Sequence, residues 1–133
     1  MDDAEVALWF AGYLESFAAI GRGEVEDVGR ILEHYGVPLI VSTDDECVTL
    51  TDAAQVIAVS KQQFDGLQAD GYDRSVVLGA RSTVLNKSCV MHRGTFARIR
   101  ADGSEISRIE STYLIVDGPA GFRISVLVRH TPS

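Results

Sequence analysis

In the stretch RIESTYLIV, residues 108–116, a guanidinium and a carboxylate, Arg108 and Glu110, stand two residues apart at the head of a run that ends apolar. A β-strand sends residues i and i+2 to the same face, so this spacing sets the two charges side by side. A carboxylate removed from water needs a cation or several hydrogen bonds, because leaving it unpaired costs several kcal/mol. Arg93, on an earlier β-rich segment, can supply that partner. Two readings of Glu110 stay open: a structural ion pair on a sheet, or a general acid or base held in place by Arg93. In the second, Tyr13 would give electrophilic support by donating its phenol hydrogen to a ligand carbonyl, with Trp9 one helical turn away as pocket wall. Acid/base work needs a pKa near the working pH, and a guanidinium beside a carboxylate moves it the other way. That counts against catalysis.

Other reactive side chains form no constellation. Cys47 and Cys89 lack a C-x-x-C spacing, lie on different predicted strands and read as buried thiols. His34, His92 and His130 are scattered, with no H-x-x-x-H pair, so no metal site and no cofactor are expected.

These groups must be positioned by helices and strands that the pattern makes legible. Val6, Trp9, Phe10, Tyr13, Leu14, Phe17 and Ile20 recur at three- and four-residue steps, which predicts an amphipathic helix over Asp3 to Ile20, stopped by Gly21 and Gly23. A second helix is predicted from about Glu24 to Tyr35, ended by Gly36 and Pro38. PLIVSTDDECVTL reads as a hairpin. Asp52 is a candidate N-cap for a third helix, Ala53 to Ala69, with Val56, Val59, Phe64 and Leu67 inward. Four β-rich segments follow, Ser75 to Lys87, Cys89 to Arg100, Glu105 to Val116 and Phe122 to His130, with Asp102-Gly103 favoured as a two-residue turn.

That turn sets opposite Thr95 to Glu110, Arg93 to Thr112, Ala97 to Arg108 and Met91 to Leu114, all on one side. His92 with Tyr113, Gly94 with Ser111 and Phe96 with Ile109 fall on the other. If a wider turn pairs Val116 with Phe122, the last strand adds Phe122, Ile124, Val126, Val128 and His130 to the first side. That side is then the richer in aliphatics and is expected to face the helices. A one-residue bulge would instead turn His92, Ser111 and Tyr113 inward.

At 133 residues, 46% hydrophobic and 23% charged, the chain suits one soluble domain over 1–133. No apolar run reaches the roughly 18 to 20 residues that span a bilayer, and the acidic start MDDAEVALWF reads straight into a helix where a secretory signal would be basic. A cytoplasmic protein without membrane attachment is expected. The net charge of −7 is uneven: residues 1–73 carry fifteen acidic against three basic side chains, and residues 74–133 four against nine. Overall negative charge and strands without interleaved stacking aromatics argue against nucleic-acid binding.

The order helix, helix, hairpin, helix and four long antiparallel strands resembles the nuclear transport factor 2-like, or SnoaL-like, superfamily. The ending STYLIVDGPAGFRISVLVRH looks like that family's closing hairpin, and WFAGYLESF like its first helix. The resemblance implies an α+β, cystatin-like cone in which three helices pack on a strongly curved, mainly antiparallel sheet, with a pocket between them and a homodimer through the outer sheet face. It does not imply one chemistry. On the face assignment above, the pocket would be lined by Trp9, Tyr13, Phe64, Arg93, Thr95, Arg108, Glu110, Thr112, Ile124 and Val126. It would hold a small, largely apolar molecule with a polar or anionic group near Arg93 and Arg108. The alternative is a small isomerase, lyase or hydrolase of the ketosteroid isomerase or polyketide cyclase type, using Glu110 and Tyr13.

Overall fold

A computed structural model describes residues 2–131. Helix α1, Asp3–Gly21, starts where Asp2 Oδ1 accepts the backbone N–H of Glu5 at 2.8 Å, and it buries Val6, Phe10, Tyr13, Phe17 and Ile20 along one stripe. Its last residue must be glycine because the ring of Tyr72 lies against it: a Cβ on Gly21 would meet Tyr72 Cε2 at 2.7 Å.

The second helix expected over Glu24 to Tyr35 is instead a six-residue 3-10 helix, Val28–Glu33. Asp27 caps it through Gly29 N–H at 3.0 Å. It stops early because the chain is claimed by the sheet: His34 O accepts from Ile124 N–H at 2.7 Å, and Tyr35 pairs with Ile124. Strand β1, Tyr35–Ser42, begins there and forms a hairpin with β2, Cys47–Leu50. Helix α2, Ala53–Ala69, is capped by Asp52, whose Oδ1 accepts from Gln55 N–H at 2.8 Å. Four strands follow: β3, Tyr72–Asn86; β4, Cys89–Arg100; β5, Glu105–Gly118; and β6, Gly121–Arg129.

The six strands make one sheet in the order β2-β1-β6-β5-β4-β3, antiparallel except where β1 runs parallel to β6. The architecture is α+β. Between β4 and β5 the expected pairs occur, Thr95 with Glu110, Arg93 with Thr112, Ala97 with Arg108 and Met91 with Leu114. The loop that sets them is not a plain two-residue turn. Arg100 N–H donates to Ser104 O at 2.8 Å, which places Ala101, Asp102 and Gly103 in the loop, Gly103 at φ 88°. A bulge beyond Ile99 then restores the register.

The face assignment is overturned at the next hairpin. The reversal after β5 is tight, with Gly118 opposite Gly121 and Asp117 opposite Phe122, so Val116 meets Arg123 and Ile115 meets Ile124. A bulge at Ser125 then shifts the ladder, and beyond it Leu114 faces Val126 and Tyr113 faces Leu127. Ile124 and Val126, expected on one face, therefore point to opposite faces. The buried row is Val90, His92, Phe96, Ser111, Tyr113, Ile115, Ile124 and Leu127. It packs against α1, where the Phe10 ring lies 4.2 Å from His92 and 4.9 Å from Tyr113. Met91, Arg93, Thr95, Arg108, Glu110, Thr112, Leu114, Val126, Val128 and His130 form the row on the opposite, outer face.

Among the described residues, no helix is long and apolar enough to cross a membrane, which leaves β-barrel spans unaddressed.

Candidate functional site

The inner face and the two helices leave a cavity in two parts, which share Tyr35, Gln63, Leu127 and Arg129 as walls. The narrow part, about 20 Å³, lies among Tyr13, Phe17, Phe96, Arg98 and Tyr113. The wider part, about 190 Å³, is bounded by Leu39, Val41 and Leu50 from the β1-β2 hairpin and by Val59 and Ser60 from α2. Helical spacing explains the last contribution: Val59, Ser60 and Gln63 share one side of α2. Strand period explains the rest, since Phe96 and Arg98 alternate with outward residues on β4 and Leu127 and Arg129 do so on β6.

Burial sets the protonation of this cavity. The Tyr13 and Tyr35 hydroxyls share a hydrogen bond of 2.8 Å, and burial pushes the Tyr13 phenol well above its ordinary value and that of Tyr35 upward. Burial also pushes Tyr113 up to about 12. All three phenols are neutral donors at physiological pH. Arg98 is lowered, first by burial and then by the positive charge of Arg129. Its Nε is buried without a hydrogen-bond partner among the described residues. Arg129 Nε donates to Ser111 Oγ at 2.9 Å.

The residues singled out from sequence divide between the two faces. Tyr13 lines the cavity. Trp9, expected in the pocket wall, does not line the cavity but packs edge-on to His34 at 5.4 Å and to Phe122 at 6.1 Å. Phe64 and Ile124 are core residues, 1% and 0% exposed, Phe64 packed on the Phe17 ring at 4.9 Å. Arg93, Thr95, Arg108, Glu110, Thr112 and Val126 do not line that cavity: the β4-β5 register puts their row on the opposite face, where Thr95, Arg108 and Glu110 border a separate depression of about 520 Å³ with Asp44, Asp45, Arg129 and His130. There Arg93 Nε donates to Glu110 Oε1 at 2.6 Å, with the two side chains 57% and 36% exposed. His130 Nδ1 lies 3.8 Å from the same oxygen, and His130 Nε2 is 2.6 Å from Thr112 Oγ1. Arg108 Nε donates to Glu105 Oε1 at 2.9 Å. The Arg93–Glu110 pair exists as expected, but in water, where such pairs contribute little.

Arg98, Arg129, Tyr35 and Ser60 are among the cavity residues that the sequence reading missed. The signal was present in the row His92, Phe96, Ile109, Tyr113, which gathers large rings at strand period, whereas the opposite row gathers Arg93, Thr95, Arg108 and Glu110. Among the described residues, no cluster of His, Cys, Asp and Glu could hold a metal ion.

The family model described as NTF2-like protein (DUF6841) matches residues 4–132. Among solved structures, an NTF-2 like protein of unknown function from Shewanella oneidensis is similar with a TM-score of 0.72 at 14% identity, covering 97% of this chain and 98% of that one. An NTF2-like protein with a cystatin-like fold from Novosphingobium aromaticivorans gives 0.71 at 18%, covering 96% and 80%. An NTF2-like superfamily protein from Salmonella enterica gives 0.63 at 13%, covering 98% and 90%. At such identities the likeness is one of fold. No curated protein matches the chain.

Proposed function

The chain belongs to the NTF2-like family DUF6841, and from that premise we propose that it is a binding domain holding a small, largely apolar molecule in the cavity between α1, α2 and the inner sheet face. The observation that carries this reading is the composition of the cavity wall. Aliphatic and aromatic side chains are joined there by a few polar groups from Tyr, Ser, Thr, Gln and Arg, and no carboxylate or imidazole is among the lining residues. Such a wall suits ligand enclosure. Proton abstraction needs a base within about 3 Å of the reacting atom. The buried phenols are held protonated, and Glu110 stands on the far face of the sheet, so an isomerase, lyase or hydrolase reading built on Glu110 and Tyr13 finds no geometry to support it.

The outer face supports a second part of the proposal, a homodimer. No helix covers it, and its row of Met91, Leu114, Val126 and Val128 is part-exposed, Met91 at 39%. Large apolar rows of this kind mark protein contacts.

The binding reading is tested by thermal-shift measurements with hexanol and hexanoate. Both should raise the melting temperature of the wild type and of Glu110→Gln equally. Ser60→Phe, which fills the wider part of the cavity, should abolish the shift. A response lost in Glu110→Gln and kept in Ser60→Phe would place the ligand outside and refute the reading.

A further inference from the structure

Arg98 and Arg129 line the same cavity, and Arg129 also borders the outer depression that holds Asp44, Asp45 and Glu110. Arg22 pairs with Glu24, Arg30 with Glu33, Arg74 with Asp73, Arg93 with Glu110 and Arg108 with Glu105, while the part-buried Arg100 and Arg123 donate to neutral oxygens. Arg98 and Arg129 form no ion pair among the described residues, although both are only partly accessible. The neighbouring phenols of Tyr13, Tyr35 and Tyr113 cannot supply the missing charge, because burial keeps each of them neutral. Among the described residues, Arg98 Nε lacks even a neutral partner.

Withdrawing two like charges from water without a counter-charge is destabilising. In a chain whose net charge is −7, a local pair of uncompensated cations marks a place built for something absent from the polypeptide. We infer that the ligand carries a carboxylate, seated between the guanidinium groups of Arg98 and Arg129, with a short apolar tail lying along Leu39, Leu50 and Val59. This inference rests on the cavity-binding reading above and specifies its ligand class.

The shape of the cavity separates carboxylate from other anions. The narrow part is tight, with about 20 Å³ of free space. A planar group with two oxygens fits between two planar guanidinium forks, which recognise carboxylates in bidentate fashion. A phosphate can pair with the same forks but is the bulkier group for a space this narrow. Gln63, Ser75 and the Tyr13 phenol line the same part and offer neutral hydrogen bonds that would favour, without neutralising, a single negative charge. The wider part, about 190 Å³, limits the tail to a short chain or one ring.

The test is isothermal titration of the full chain with hexanoate, hexanol and hexyl phosphate in low-salt buffer at neutral pH. Hexanoate should bind about tenfold or more tightly than either of the other two, as expected for a desolvated charge-assisted contact. Arg98→Met should erase that preference, bringing hexanoate affinity to the level of hexanol measured on the same variant. The ligand-free Arg98→Met variant should melt no lower than the wild type, because it loses an unpaired buried charge; a merely structural arginine would show the opposite. Arg129→Met serves as the second variant and should also erase the preference. Equal affinity for hexanoate and hexanol, indifferent to Arg98→Met, would overturn the carboxylate while leaving the cavity reading intact. Tightest binding by hexyl phosphate would overturn it in favour of a phosphate monoester. Absence of binding by all three would overturn both readings.

Discussion

Tyr13 and Tyr35 show how a single contact can hold a site without carrying its chemistry. Their shared hydrogen bond of 2.8 Å is buried, so Tyr13→Phe leaves the Tyr35 hydroxyl without its partner and should cost about 1–3 kcal/mol of unfolding free energy. Denaturant titration checks this, and a loss under about 0.5 kcal/mol would show the pair to be unimportant. Two buried imidazoles make a different prediction. His92 Nδ1 lies 2.7 Å from Ser82 Oγ and His34 Nε2 lies 3.0 Å from Ser16 Oγ, while their other ring nitrogens have no partner among the described residues. Burial lowers both below the ordinary 6.5. The unfolded chain therefore takes up more protons than the folded one as pH falls through 6.5. Stability is complete above that pH and declines as pH falls toward the folded values. Melting curves between pH 7.5 and 5.5 should show the decline, and His92→Gln should flatten part of it; an equally steep curve in the variant would contradict the assignment.

At the scale of elements, close approach decides which strand residues can change. The Phe96 ring folds back over Gly94, where a Cβ would meet Phe96 Cζ at 2.4 Å. Gly94→Ala should push that ring into the cavity and destabilise the fold by about 1–3 kcal/mol, in the range of an overpacked core, readable as a lower denaturation midpoint. The same ladder shows what could be read from sequence. Helices α1 and α2 were legible because Val6, Phe10, Tyr13 and Phe17, and likewise Val56, Phe64 and Leu67, recur at helical period behind an Asp cap. The β4-β5 register was also legible, although two compensating irregularities produce it where one turn was expected. The 3-10 helix was not, because the pairing of Tyr35 with a strand near the end of the chain is a long-range contact that local pattern cannot express. The inward face was not legible either. The tight reversal sets Asp117 opposite Phe122 where Val116 was expected, which sends Phe122 and Ile124 to the other face. The extra residue Ser125 then returns Val126 and Val128 to the first, and nothing in FRISVLVR marks either change. One slip of that kind exchanges the faces of everything inferred beyond it.

For the whole molecule, the consequence is a protein with two unlike surfaces on one sheet. The inner face is covered by helices and encloses Arg98 and Arg129, while the outer face carries Met91, Leu114, Val126 and Val128 beside the exposed Arg93–Glu110 pair. If two copies meet through that outer face, Val126→Asp should shift the mass measured by light scattering from dimer to monomer and leave hexanoate binding unchanged. A wild-type chain that is monomeric at high micromolar concentration would remove the dimer from the account. The central claim concerns the inner face. Methyl-resolved NMR of the wild type during a hexanoate titration tests it most directly, because Leu39, Leu50 and Leu127 line the cavity whereas Val126 and Val128 lie across the sheet. The account predicts saturable shifts at the three leucines with the two valines unmoved. Shifts confined to Val126 and Val128 would contradict it.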